Sequence, residues 1–139
     1  MNKEYEIEPY ISVGDIKFGM TREEVELLFG QKPDYVDIGF LKKENLIWGN
    51  VSVKLNKKSL VEEVSFMGTL NVFYEGINIL NDSTVTKVLN RIEKPLSAVG
   101  FKIYPSIGIA LTGFSKKPEN KTVSVFSKGL LKEWKKFTD

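Results

Sequence analysis

The chain of 139 residues contains no cysteine and no histidine. Without cysteine it has no disulfide, no thiolate metal site and no cysteine nucleophile. Without histidine it has no imidazole-held zinc, no Ser-His-Asp triad and no ordinary general base for neutral pH. Acid–base chemistry would fall to Asp, Glu, Lys or Tyr. Long apolar runs are missing too, and none approaches the roughly 20 residues that span a bilayer. The opening stretch MNKEYEIEPYISV mixes charges and lacks the apolar core and small-residue cleavage site of a signal peptide. A complete product of this kind is expected in the cytoplasm, away from membranes. Charge of one sign is also scarce: 20 basic residues face 18 acidic ones, for a net +2. That field is too small to imply nucleic acid.

The chain does contain regular hydrophobic pattern. Apolar residues make up 42% of the composition and charged residues 27%, which suits a globular domain. The length fits one domain, 1–139, with no need of a staple. The segment FGMTREEVELLFG predicts a helix marked at both ends. Thr21 is placed to cap it, and Glu24 three residues on completes a capping box. Glu23 and Glu24 suit the positive end of the helix dipole. Met20 can staple onto Val25, and Val25, Leu28 and Phe29 form an apolar stripe. Gly30 stops the helix and Pro33 bars a restart.

Three strands are expected next, at 35–40, 46–55 and 60–66, joined by the polar turns KKEN and NKKS. In them Val36, Ile38 and Phe40, then Val51, Val53 and Leu55, then Leu60, Val64 and Phe66 alternate inward. The second half repeats the plan. A capped helix from about residue 82 would bury Val85, Val88, Leu89 and Ile92, with Pro95 disturbing its end. Strands at 100–105, 107–113 and 121–127 would follow, with a loop at 114–121. The halves superpose at an offset of 61, setting Ile16, Phe18, Thr21, Leu27 and Leu28 on Ile77, Ile79, Asp82, Val88 and Leu89. The expected pseudo-repeat units are about 11–67 and 72–127. The C-terminal KGLLKEWKKF is a short amphipathic helix with Leu130, Trp134 and Phe137 on one face. The fold expected is therefore α+β in two layers. Two tandem units of a helix and a three-strand meander would form one antiparallel sheet, with helices on one face and a short C-terminal helix.

No catalytic constellation emerges. Glu23 and Glu24 serve the helix dipole, and NDST at 81–84 holds capping residues. Glu62 and Glu63, adjacent on a strand, would point to opposite faces and share no proton. SVGDIKFG lacks the order of a phosphate loop. No calcium-loop spacing appears, and no cofactor or metal is expected. The sheet face away from the helices is more informative. Alternation assigns to it Tyr35, Asp37, Trp48, Asn50, Ser52, Lys54 and Glu63 from the first half. From the second half it assigns Lys102, Tyr104, Ala110, Thr112, Ser124 and Phe126. Large aromatics among polar neighbours suit either a protein-binding surface or a face covered by the C-terminal segment or by a second copy of the chain. Tyr35, Asp37, Trp48, Asn50, Lys54, Lys102, Tyr104 and Phe126 are its candidate contact residues.

The stretch GDIKFGMTREEVELLFGQKP resembles the signature of SmpA/OmlA-like domains, through Gly19, Met20, Thr21, Glu24, Val25, Gly30 and Pro33. The resemblance implies α/β units of the kind found in tandem in β-lactamase inhibitor proteins and singly in envelope assembly lipoproteins. The latter supply an alternative role as a structural or assembly module of the cell envelope. Over more of the chain, VGDIKFGMTREEV, IGIAL and VSVFSKG resemble small cytosolic immunity proteins of bacterial polymorphic toxin systems. Ile107, Gly108, Ile109, Val123, Val125, Phe126, Ser127, Lys128 and Gly129 carry the match in the tail. That resemblance implies a non-enzyme that binds and neutralises a cognate protein toxin by occlusion. The sheet face, or the loops at 41–45 and 114–121, would then cover the toxin.

Overall fold

The structure is a computed structural model that describes residues 4–98, 100–114 and 121–136. The chain begins with β1 (Glu4–Glu8), β2 (Ser12–Val13) and β3 (Ile16–Lys17), then α1 (Arg22–Phe29). Next come β4 (Tyr35–Ile38), a 3₁₀ turn at Phe40–Lys42, β5 (Glu44–Trp48), β6 (Val51–Leu55) and β7 (Val61–Met67). The second half runs β8 (Asn71–Tyr74), β9 (Ile77–Asn78), α2 (Val85–Ile92), β10 (Leu96–Ala98), β11 (Phe101–Tyr104), β12 (Ile109–Thr112), β13 (Thr122–Phe126) and α3 (Lys128–Lys135). Phe137 and residues 115–120 of the expected 114–121 loop lie outside the described residues.

This architecture corrects the two-layer α+β expectation. Among the described residues, thirteen strands form two sheets, of five and eight strands, and strand outweighs helix 43% to 21%. The larger sheet is antiparallel throughout, in the order β10-β11-β12-β13-β7-β6-β5-β4. The smaller sheet, in the order β3-β2-β1-β8-β9, contains one parallel pairing, β1 with β8. Each meander has four strands rather than three, because β5 and β6 are separate strands and β10 precedes β11. The two unit helices pack on the same core, and the C-terminal helix packs elsewhere. α1 and α2 bury Val25, Val85 and Leu89 in the main core, whereas Leu130 of α3 packs with Ile103, Ala110 and Phe126 in a separate cluster.

Local physics explains the elements. Glu4, Glu6 and Glu8 face outward while Tyr5 and Ile7 are buried, the alternation of a half-buried strand. α1 has the capping box: the Thr21 side chain accepts from Glu24 N, and the Glu24 carboxylate accepts from Thr21 N at 3.1 Å. Gly30 closes α1 in the left-handed region, at φ 72°. Of the expected stripe, Val25 is buried and Phe29 stacks on Trp48 at 4.1 Å, but Leu28 stays exposed, as does Leu27 beside it. α2 starts at Val85, later than expected. Asp82 turns back to accept from Thr84 N at 2.8 Å, an Asx turn ahead of the helix. Ile92 stays exposed, so α2 buries a narrower stripe than its spacing suggests.

Both halves of the chain run a short hairpin, a helix and a four-strand meander in that order. At the offset of 61, Ile16 and Lys17 of β3 fall on Ile77 and Asn78 of β9. The two meanders meet where β7 pairs with β13, register Ser65 opposite Ser124. One core joins the two sheets, with Tyr5 of β1 set against Phe66 of β7 at 4.7 Å.

Candidate functional site

The register of the large sheet defines the face turned away from the main core. Paired residues share a face, so each cross-strand row can be read directly. One row runs Ile103, Ala110, Ser124, Ser65, Ser52, Ile47, Tyr35 from β11 to β4. The next runs Phe126, Glu63, Lys54, Asn45, Asp37 from β13 to β4. Small hydroxyls therefore occupy the centre, and charged and aromatic groups surround them. The Ser65 and Ser124 hydroxyls bond each other at 2.8 Å.

Of the expected contact residues, Tyr35, Asp37, Lys54 and Phe126 lie on this face, as do Ser52, Glu63, Ala110 and Ser124. Tyr35 is 61% exposed, but Phe126 is fully buried beneath Trp134 of α3 at 4.8 Å. Asn50 is exposed in the turn between β5 and β6. Trp48, Lys102 and Tyr104 are on the opposite face. Trp48 pairs with Val51, is 6% exposed, stacks on Phe29 and donates from Nε1 to Gln31 O at 3.1 Å. Reading 46–55 as one strand fails because the turn at Gly49 and Asn50 resets the alternation. Lys102 pairs with core Leu111, and Tyr104 pairs with core Ile109. The Tyr104 hydroxyl donates to Asn90 of α2 at 2.6 Å. β11 misleads because Ile103 and Tyr104, on opposite faces, are both buried, the first beside Leu130 of α3 and the second bonded to Asn90 of α2.

Two residues central to this face, Lys43 and Glu133, were not singled out in the sequence, and Glu62 and Glu63 were expected on opposite faces. Lys54 pairs with Glu63 but Leu55 pairs with Val61, so Glu62 is the extra residue of a β-bulge. The bulge defeats strict alternation, and both carboxylates meet lysines at one cavity. Lys43 Nζ donates to Glu62 at 2.8 Å and to Glu133 of α3 at 2.6 Å. Lys54 pairs with Glu63 at 3.1 Å. Lys43 is only 5% exposed. Burial alone would lower its pKa, but the Glu133 and Glu62 hydrogen bonds outweigh that and hold the ammonium above the ordinary lysine range. Burial pushes the Glu63 carboxyl up, against the pull of Lys54 and with the push of Glu62. Val61 and Val64, both buried at a spacing of three with two carboxylates between, are the sequence trace of the bulge.

All of these charged groups but Glu62 line a cavity of about 650 Å³. Ser52, Ser65 and Ser124 form its floor, with Lys43, Lys54, Glu63 and Glu133 among its lining. Apolar lining comes from Leu41, Met67, Ala98, Phe101, Ile103, Leu130 and Trp134. Ser127 starts α3 at this site: its hydroxyl accepts from Leu130 N, and its own N–H donates to Glu62 O at 2.9 Å.

A second polar cluster, nearer the surface, is structural. The Tyr10 hydroxyl donates to Pro105 O, and Glu93 accepts from Ser106 N at 2.7 Å and Ser106 Oγ at 2.6 Å. Burial, with Glu93 nearby, pushes the Tyr10 phenol up to about 12. These bonds pin the β11–β12 turn to α2 and to the loop after β1. Among the described residues, no group of three Asp or Glu could hold a metal ion, and no helix is long and apolar enough to cross a membrane. No family model, curated protein or solved structure matches this chain.

Proposed function

We propose that the chain is an immunity protein that neutralises a cognate bacterial toxin in the cytoplasm by stoichiometric occlusion, and that the cavity face of the large sheet receives the toxin. The cavity is the observation that carries this reading. Its volume of about 650 Å³ and its mixture of aromatic, aliphatic and charged walls suit the anchor pocket of a protein interface. Its titratable groups are engaged in ion pairs: Glu62 and Glu63 each face a lysine, so neither forms a proton-sharing dyad with the other. That arrangement favours binding over turnover. The resemblance to immunity proteins supplies the partner class. Nucleic acid, cofactor and membrane have no part in the proposal.

The test is co-expression of the chain with the toxin domain encoded immediately upstream. Relief of growth arrest with a stable one-to-one complex supports the reading. Ser52→Tyr, which fills the cavity floor with a residue suited to a strand, should abolish rescue while leaving the folded spectrum intact. Toxicity unrelieved, with no complex, refutes it. A second reading, a small-molecule binder, is favoured by the raised Glu63 carboxyl in an apolar recess. Native mass spectrometry of the purified chain, carrying a bound small molecule that Ser52→Tyr excludes, would support it.

A further inference from the structure

We propose that the cavity is a socket for one arginine side chain presented by the protein partner; this deepens the binding reading above and rests on it. Charge supplies the first reason. Lys43 faces two carboxylates, at 2.8 Å and 2.6 Å, so one negative charge is left over. Glu62 is buried beneath Lys43, whereas Glu133 is 38% exposed at the cavity. The excess charge is therefore accessible at Glu133. The Lys54–Glu63 pair beside it balances itself.

The surface around that charge supplies the second reason. Trp134 follows Glu133 on α3, and its ring lies 6.1 Å from Phe101 across the recess, tilted by 36°. A guanidinium is planar and weakly hydrated, so it can stack on an aromatic face while its edge bonds a carboxylate. Its aliphatic stem suits the apolar walls. A lysine ammonium is more strongly hydrated and cannot stack as a plane. An anion would meet Glu133 and Glu63, while Lys43 and Lys54 of the cavity lining are already paired with carboxylates.

The chain has two tryptophans, so its ¹H–¹⁵N spectrum has two indole N–H signals. Trp134 reports the cavity, and Trp48, on the other face, is an internal control. The probes are n-butylguanidinium, n-butylammonium, pentanamide and pentanoate, added to the whole chain at constant ionic strength. n-Butylguanidinium should shift the Trp134 indole saturably, with a dissociation constant on the order of 10 mM for so small a probe, and leave Trp48 in place. n-Butylammonium should bind more weakly, and pentanamide and pentanoate should leave Trp134 unmoved. Glu133→Gln should weaken the guanidinium about two- to fivefold. Equal shifts from pentanamide or pentanoate overturn the socket, as does no saturable shift of Trp134. If toxin is neutralised while Trp134 ignores the guanidinium, the socket fails and the binding reading stands. If Trp134 responds as expected but no toxin is neutralised, the socket stands and the toxin reading fails.

Discussion

At the scale of single residues, the buried ion cluster is the most consequential feature. Lys43 lies beneath the surface with Glu62, and removing one member of such a pair leaves the other buried and unpaired. Lys43→Met should destabilise the protein by about 3–5 kcal/mol. Adding Glu62→Leu should recover much of that loss, because the pair is then replaced by apolar groups. Glu133→Gln should cost no more than about 1 kcal/mol, since that partner is partly solvated. Urea unfolding of the three variants gives these differences. Glu63 adds a dependence on pH. Burial holds its folded pKa above the ordinary value of 4.5, so the folded state keeps its proton to higher pH than the unfolded chain does. Its favourable contribution is full below about 4.5 and is lost as pH rises through the raised value. The stability of Glu63→Gln relative to the parent should therefore grow from pH 4.5 upward and then level off. A flat difference across that window would mean that Glu63 titrates normally.

At the scale of elements, α1 shows how far local sequence reaches. Thr21, Glu24 and Gly30 specify its two ends by bonds within a few residues of themselves, and those bonds form as the spacing requires. Thr21→Ala should lower stability by about 0.5–2 kcal/mol in thermal unfolding, through loss of the cap. The inward face of β6 was equally legible, because Val51, Val53 and Leu55 need only one buried face, but the turn that separates β6 from β5 was not. The candidate site was half legible. Tyr35, Asp37 and Lys54 lie on the expected face, but Trp48 and Tyr104 belong to the core. Trp48→Ala should therefore cost about 3–5 kcal/mol of stability as a core truncation. Measured at equal folded fraction, it should leave partner affinity unchanged. A two-residue turn and a strand covered on both sides misled the alternation. Lys43 gave no signal, because its two partners lie 19 and 90 residues away.

At the scale of the whole molecule, the two meanders share one sheet and one core through β7 and β13. Trp48 reports the first half and Trp134 the second, so fluorescence of two single-tryptophan variants, Trp48→Phe and Trp134→Phe, separates them. Within each variant the tryptophan signal and far-UV circular dichroism should give the same urea midpoint, as one cooperative unit requires. A tryptophan transition distinct from the backbone transition would mean that the halves unfold independently. The parallel pairing of β1 with β8 and the antiparallel pairing of β7 with β13 join distant segments, so refolding is expected in milliseconds to seconds.

The sequence alone determined what nearest neighbours along the chain can specify: a helix capped and stopped in place, the inward faces of isolated strands, and a repertoire without thiol or imidazole. The tertiary structure decided the smaller sheet, the bulge at Glu62 and the meeting of Lys43 with Glu133. The physical reason is the range of the forces involved. Caps and turns are satisfied within a few residues, and one buried face suffices to set a strand's alternation. Which edges pair, and which charge meets which lysine, depends on groups that chain entropy keeps apart until the core forms. The cavity is built from five strands, a 3₁₀ turn and a helix, so only their assembly creates it.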